Sequence, residues 1–196
     1  MKTGILLLSM SFWLTGPGPA VLQGYILSGD YAVSIHGTIN VHNWSEVIQK
    51  VSGELVGSAN GDANADIKSI RIVMEVRSIT SDMGSVMNSK TYKALKGDAD
   101  PEITFLLTDP VRISRMAEGD KSVLVKGRLT LAGVTREVMM SVRSFTVAAG
   151  KMSIEGEEKI NMTDFGVIPP SALFGTMRAA PEITINFKTD FTIQQP

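Results

Sequence analysis

Residues 123–142, VLVKGRLTLAGVTREVMMSV, decide the fold. Val123, Val125, Leu129 and Leu131 alternate with Lys126, Arg128 and Thr130. After Ala132-Gly133, Val134, Val138, Met140 and Val142 alternate with Thr135, Glu137 and Ser141. A period of two sends successive side chains to opposite faces of a strand, and two such runs joined by two small residues read as a hairpin. One apolar and one polar face mark antiparallel strands buried on a single side.

The same period recurs outward from this hairpin. In 183–193, Ile183, Ile185, Phe187, Phe191 and Ile193 alternate with Thr184, Asn186, Lys188, Asp190 and Thr192. Runs 70–77 and 152–162 repeat the pattern, and weaker strands fall near 31–41, 46–57 and 102–108, which makes eight candidate strands. Turn signals at Gly57 to Asp62, Asp109-Pro110, Gly119-Asp120 and Ala149-Gly150 separate them. One stretch has helical spacing instead. Asp82 reads as an N-cap, Met83, Val86, Met87, Ala94 and Leu95 follow, and Gly97 reads as the C′ stop of one or two short helices over 83–96. A long irregular connection, 164–181, carries Pro169-Pro170 and the apolar residues Ile168, Leu173, Phe174 and Met177. Eight antiparallel strands in one domain admit either a sandwich or a closed barrel, the latter just wide enough to be filled or to hold one small ligand.

The chain has 196 residues, 43% hydrophobic and 20% charged, with a net charge of -1. That composition is globular and carries no polyanion-binding signature, so no nucleic-acid partner is expected. Lys2, the apolar stretch Ile5 to Leu14, and small residues up to Ala20 read as a signal peptide over 1–20 with cleavage near Ala20. A periplasmic or secreted location follows. No later segment is long and apolar enough to be a transmembrane helix.

Chemistry finds little material. There is no cysteine, and the only histidines, His36 and His42, lie roughly 20 Å apart if one strand carries both. Neither a metal site nor a cofactor is expected. Asp164-Phe165-Gly166 lacks the glycine-rich loop, strand lysine and catalytic loop of a kinase. No catalytic residue is assigned, and the chain is read as not an enzyme. What remains is an aliphatic interior rich in methionine, a flexible and polarizable side chain found where varied apolar ligands bind and, more often, in plain cores.

Three segments together resemble the YceI-like family of bacterial periplasmic and secreted proteins. They are Gly127 to Val138 (GRLTLAGVTREV), Asp100 to Phe105 (DPEITF) and Ile160 to Gly166 (INMTDFG), with Ile79-Thr80-Ser81 ahead of the helix. The resemblance implies an all-β fold, an extended eight-stranded antiparallel lipocalin-like barrel with one or two short helices over 30–194. It also implies an interior that holds an isoprenoid-type lipid, such as a polyprenyl chain or isoprenoid quinone, for transport, storage or sequestration. The chain departs from the family pattern at Ala94-Leu95, where an aromatic pair is common, and in Gly37 to Trp44.

On the inward faces, the expected ligand-lining residues are Ile72, Met74, Phe105, Leu107, Val125, Leu129, Val138, Met140, Ile160, Met162 and Phe187, with Phe165 and Phe174 at the mouth or lid. Arg136 is the one charge placed inward by register. The alternative is a lipid-free structural or stress-response envelope protein with a side-chain-filled barrel. A homodimer stays open.

Overall fold

The computed structural model describes residues 21–40, 42–117, 119–172 and 177–194. The segment read as a signal peptide, and Leu173 and Phe174 of the long connection, lie outside the described residues. In chain order the strands are β1 (Gln23–Ile39), β2 (His42–Ile48), β3 (Val51–Asn60), β4 (Asn64–Glu75), β5 (Ile79–Ser81), β6 (Glu102–Leu107), β7 (Val111–Ser114), β8 (Val123–Leu131), β9 (Val134–Ala148), β10 (Lys151–Asn161), β11 (Ser171–Ala172), β12 (Met177–Arg178) and β13 (Glu182–Ile193). The helix α1 (Ser85–Ala94) lies between β5 and β6, and short 3-10 turns occupy Val76–Ser78 and Met162–Phe165.

The ladder β1-β3-β4-β6-β8-β9-β10-β13 is antiparallel and closes where β13 pairs with β1. β2 prolongs β3 along β1, β5 prolongs β4 along β2, and β7 prolongs β6 along β4. Each broken pair serves as one barrel strand, so the fold is the eight-stranded antiparallel barrel read from the sequence. Closure leaves the eight-strand ladder no terminal strand, though β5 and β7 each pair on one side only.

The 46–57 run, expected as one strand, is two, interrupted at Gln49-Lys50. There the backbone turns aside to Ser78: Gln49 N donates to its carbonyl (3.2 Å) and Lys50 N to its hydroxyl (3.0 Å). β1 starts at Gln23, earlier than the alternation suggested, because Gln23 to Ile26 pair with β3.

The tips of the β8–β9 and β9–β10 hairpins are two-residue turns with positive φ throughout, 50° and 80° at Ala132-Gly133 and 49° and 77° at Ala149-Gly150. Such turns match the twist of the flanking strands, but an alanine there is strained by about 1 kcal/mol. Ala132 is buried within the core, where only a small side chain fits. Ala149 is exposed, so Ala149→Asn should stabilise the protein by about 0.5–1 kcal/mol in thermal unfolding.

The helix ends differ from the sequence reading. Gly84 (φ 87°) is the N-cap, with no side-chain cap bond, because Asp82 is engaged across the fold, accepting from Ser45 N (3.1 Å) and Ser45 Oγ (2.8 Å). At the other end Lys96 (φ 54°), not Gly97, is the left-handed residue. The bonds Gly97 N to Tyr92 O (2.8 Å) and Lys96 N to Lys93 O (3.1 Å) complete a Schellman closure. Gly97 is required by space instead, since a Cβ there would lie 2.9 Å from Val76 Cγ1.

The interior divides into two clusters. One, at the helix end, includes Trp44, Ile48, Val76, Ile79, Leu95 and Val167. The other, at the far end, is built on Tyr25, Leu55, Ile67, Phe145, Met152 and Phe191, all fully buried.

Candidate functional site

Between these clusters the barrel holds a cavity of about 140 Å³. Every second residue of β13 from Ile183 to Phe191 lines it, so its wall runs roughly 26 Å along that strand at about 3.3 Å per residue. The volume is close to that of an engineered apolar cavity of about 150 Å³ that stays dry and binds benzene. A longer guest must displace wall side chains, and Met74, Met140 and Met162 on the wall are the kind that yield.

Two glycines keep the lumen open. The Phe105 ring lies over Gly127, where a Cβ would fall 2.1 Å from Cε2. The Phe187 ring lies over its register partner Gly156, where a Cβ would fall 2.6 Å from Cζ. A ring laid flat against the wall covers the glycine and leaves the axis unfilled.

Of the residues singled out in the sequence, the structure brings nine onto this wall: Ile72, Met74, Phe105, Val125, Leu129, Met140, Ile160, Met162 and Phe187. Leu107 packs instead against the far cluster. Val138 and Phe165 are buried beside the helix-end cluster and line a separate, polar outer cleft with Arg136, Glu137, Glu158 and Lys159. Phe174 lies outside the described residues. Within 164–181, Val167 and Pro170 line the cavity while Ile168 is 83% exposed. That connection is tied to β1 through Ala180 N to Thr38 O (2.8 Å) and to α1 through Lys90 Nζ to Ser171 O (3.1 Å).

Arg136 keeps its register opposite Leu129, yet its side chain is exposed at the rim, donating from Nε to Asp164 O (2.9 Å). The inward charge is a residue the sequence reading missed. Glu46, on β2, is 4% exposed and lines the cavity, and Thr91 Oγ1 of α1 donates to its Oε1 at 2.6 Å. Burial raises its pKa above the ordinary carboxylate value; the Thr91 hydroxyl opposes this and the Asp82 charge adds to it. The other hydroxyl on the wall, Thr189, donates to Ile154 O (3.3 Å).

A raised carboxyl means that, between the unfolded and folded pKa values, the folded state holds a proton that the unfolded chain has released. The stability so gained is present below the ordinary Glu range and is lost as pH rises through the folded value. Glu46→Gln keeps the shape and the acceptor for Thr91. Its melting temperature should match that of the parent near pH ~4 and exceed it increasingly toward pH ~8. A constant difference across that range in a thermal-melt series would contradict the assignment.

Among the described residues no group of His, Asp and Glu could hold a metal ion, and no helix is long and apolar enough to cross a membrane. His36 is exposed, with Nε2 3.0 Å from Ser34 Oγ.

The profile of the YceI-like domain matches residues 31–191. Nothing among curated proteins matches. Among solved structures, Burkholderia cenocepacia BcnA superposes with a TM-score of 0.61 at 18% identity, covering 82% of this chain and 95% of its own. A polyisoprenoid-binding domain from Saccharophagus degradans, implicated in plant cell wall breakdown, gives 0.62 at 12% identity, covering 89% of this chain and all (100%) of its own. A Campylobacter jejuni YceI protein gives 0.50 at 13% identity over 71% of this chain and 85% of its own. At such identities the likeness is one of fold.

Proposed function

The chain belongs to the YceI-like domain family, and from that premise we propose that it is a periplasmic or secreted, non-catalytic carrier that encloses the tail of an isoprenoid-type lipid. The observation that carries this reading is the cavity, whose wall is apolar except for Glu46, Thr91 and Thr189. The Saccharophagus neighbour described as polyisoprenoid-binding supports it. Burying one CH₂ is worth about 0.8 kcal/mol, so each five-carbon unit supplies about 4 kcal/mol against an immobilisation cost of roughly 4–15 kcal/mol. About one to four units offset that cost. The connection 164–181 gates the cavity in this reading, through Val167 and Pro170.

Titration of lipid-stripped protein with geranylgeraniol, followed by tryptophan fluorescence, tests the proposal. It predicts saturable uptake near one molecule per barrel. Absence of saturable uptake would select the other reading, a filled envelope barrel, which the solid far cluster favours.

A further inference from the structure

The apolar cavity has a polar end. Trp44 and Glu46 are alternate residues of β2, so they share the inward face about 7 Å apart along the strand, and both line the cavity with Thr91 of α1. The Thr91 hydroxyl is committed to Glu46 Oε1. Trp44 Nε1, which lies beside Gly37 of β1, is buried without a hydrogen-bond partner among the described residues, and the residue is 9% exposed. A buried N–H left unpaired is costly, and a ligand atom that accepts from it recovers that cost. At the far end, which Tyr25, Phe145, Met152 and Phe191 close with packed surface, the other buried unpartnered atom, Asp190 Oδ1, belongs to a residue that alternates with the cavity-lining Thr189 and Phe191 and does not itself line the cavity. Among the described residues no Lys, Arg or His lines the cavity, so an anionic head would sit beside the Glu46 carboxyl and near Asp82 with no cation to balance it.

We propose that Trp44, Glu46 and Thr91 form a head-group site for an uncharged oxygen, a hydroxyl or carbonyl, at the helix end of the cavity, with the tail directed toward the far cluster. The inference rests on the lipid-carrier reading and adds the class and orientation of the ligand. Trp44 donates to the ligand oxygen. Glu46 accepts from a ligand hydroxyl, and in the protonated form that burial favours it offers a second donor to a carbonyl. A phosphate or diphosphate on the same tail is rejected by the missing countercharge.

The test uses three probes with one four-unit prenyl tail: the alcohol, the diphosphate, and the hydrocarbon without a head. Affinities are measured by competition against a fluorescent apolar probe, for the parent, Glu46→Leu, Glu46→Gln and Trp44→Phe. The expected order in the parent is alcohol above hydrocarbon above diphosphate. The alcohol-to-diphosphate ratio should be at least about tenfold, one to two hydrogen bonds' worth. Glu46→Leu and Trp44→Phe should each reduce the alcohol-to-hydrocarbon ratio about fivefold to tenfold, and Glu46→Gln should restore most of it relative to Glu46→Leu. Because the readout is a ratio on one folded protein, general loosening of the barrel cancels. A diphosphate that binds as well as the alcohol, or ratios indifferent to both positions, would overturn the head-group site while leaving the carrier intact. Failure of all three probes, the hydrocarbon included, would instead remove the carrier reading itself and the site with it.

Discussion

Val125→Phe combined with Met140→Phe will abolish uptake of prenyl tails while raising the melting temperature of the lipid-free protein. The two residues are register partners on the neighbouring strands β8 and β9, side by side on the inward face, and both line the cavity. Empty apolar volume costs roughly 24 cal/mol per Å³, so the unfilled 140 Å³ represents at most about 3 kcal/mol, and filling half of it returns roughly 1–2 kcal/mol. For a chain of this size that is a rise of about 3–6 °C. The same rings occupy the path of the tail, and displacing four or five methylene contacts weakens binding by at least about a hundredfold. The opposite signs separate occlusion from unfolding: a destabilised barrel would lose both quantities together. Calorimetry and lipid titration on the same preparation decide it. Unchanged affinity would mean that the tail does not pass along this part of the wall.

The second large effect is structural. Gly156→Val will destabilise the barrel by about 3 kcal/mol or more, read as a lowered denaturant midpoint. A Cβ at Gly156 would lie 2.3 Å from the carbonyl oxygen of Ser141 as well as 2.6 Å from Phe187 Cζ. A ring can swing away, but a backbone carbonyl in a neighbouring strand cannot, so β10 must part from β9 beside the bulge between Glu155 and Gly156. A midpoint within error of the parent would show that the wall yields here.

The sequence made the antiparallel strands legible because they keep one face apolar, while barrel rather than sandwich came from the family resemblance. The alternation in 123–142 and 183–193 names which side chains turn inward, and the small residues at Ala132-Gly133 and Ala149-Gly150 mark the tips. Periodicity says which face is buried, however, and nothing about whether that face fills the space it encloses. The open lumen depends on Phe105 and Phe187 lying over glycines, one diagonal and one directly across the sheet. Neither pairing is visible until the register is known.

Glu46 was hidden for a related reason. Around it the pattern is inverted, with Val47 41% exposed and the carboxyl inward. Its partner Thr91 lies 45 residues away on the helix. Local reading places a glutamate outside; only the long-range contact makes the inward position tolerable. Arg136 failed in the opposite sense. Register placed it inward, but it stands near the end of its strand, where a long side chain reaches over the rim to a backbone oxygen. Asp82 was misread because its carboxylate meets β2 before it can meet the helix that follows.

The central claim is that the cavity is the seat of a lipid tail. Purifying the protein from its own host without detergent, and identifying by mass spectrometry what leaves it on organic extraction, addresses that claim most directly. The account predicts roughly one isoprenoid-tailed molecule per barrel, with an uncharged oxygen head. Repeated preparations that carry no lipid, or carry only straight-chain phospholipid in proportion to membrane contamination, would contradict it.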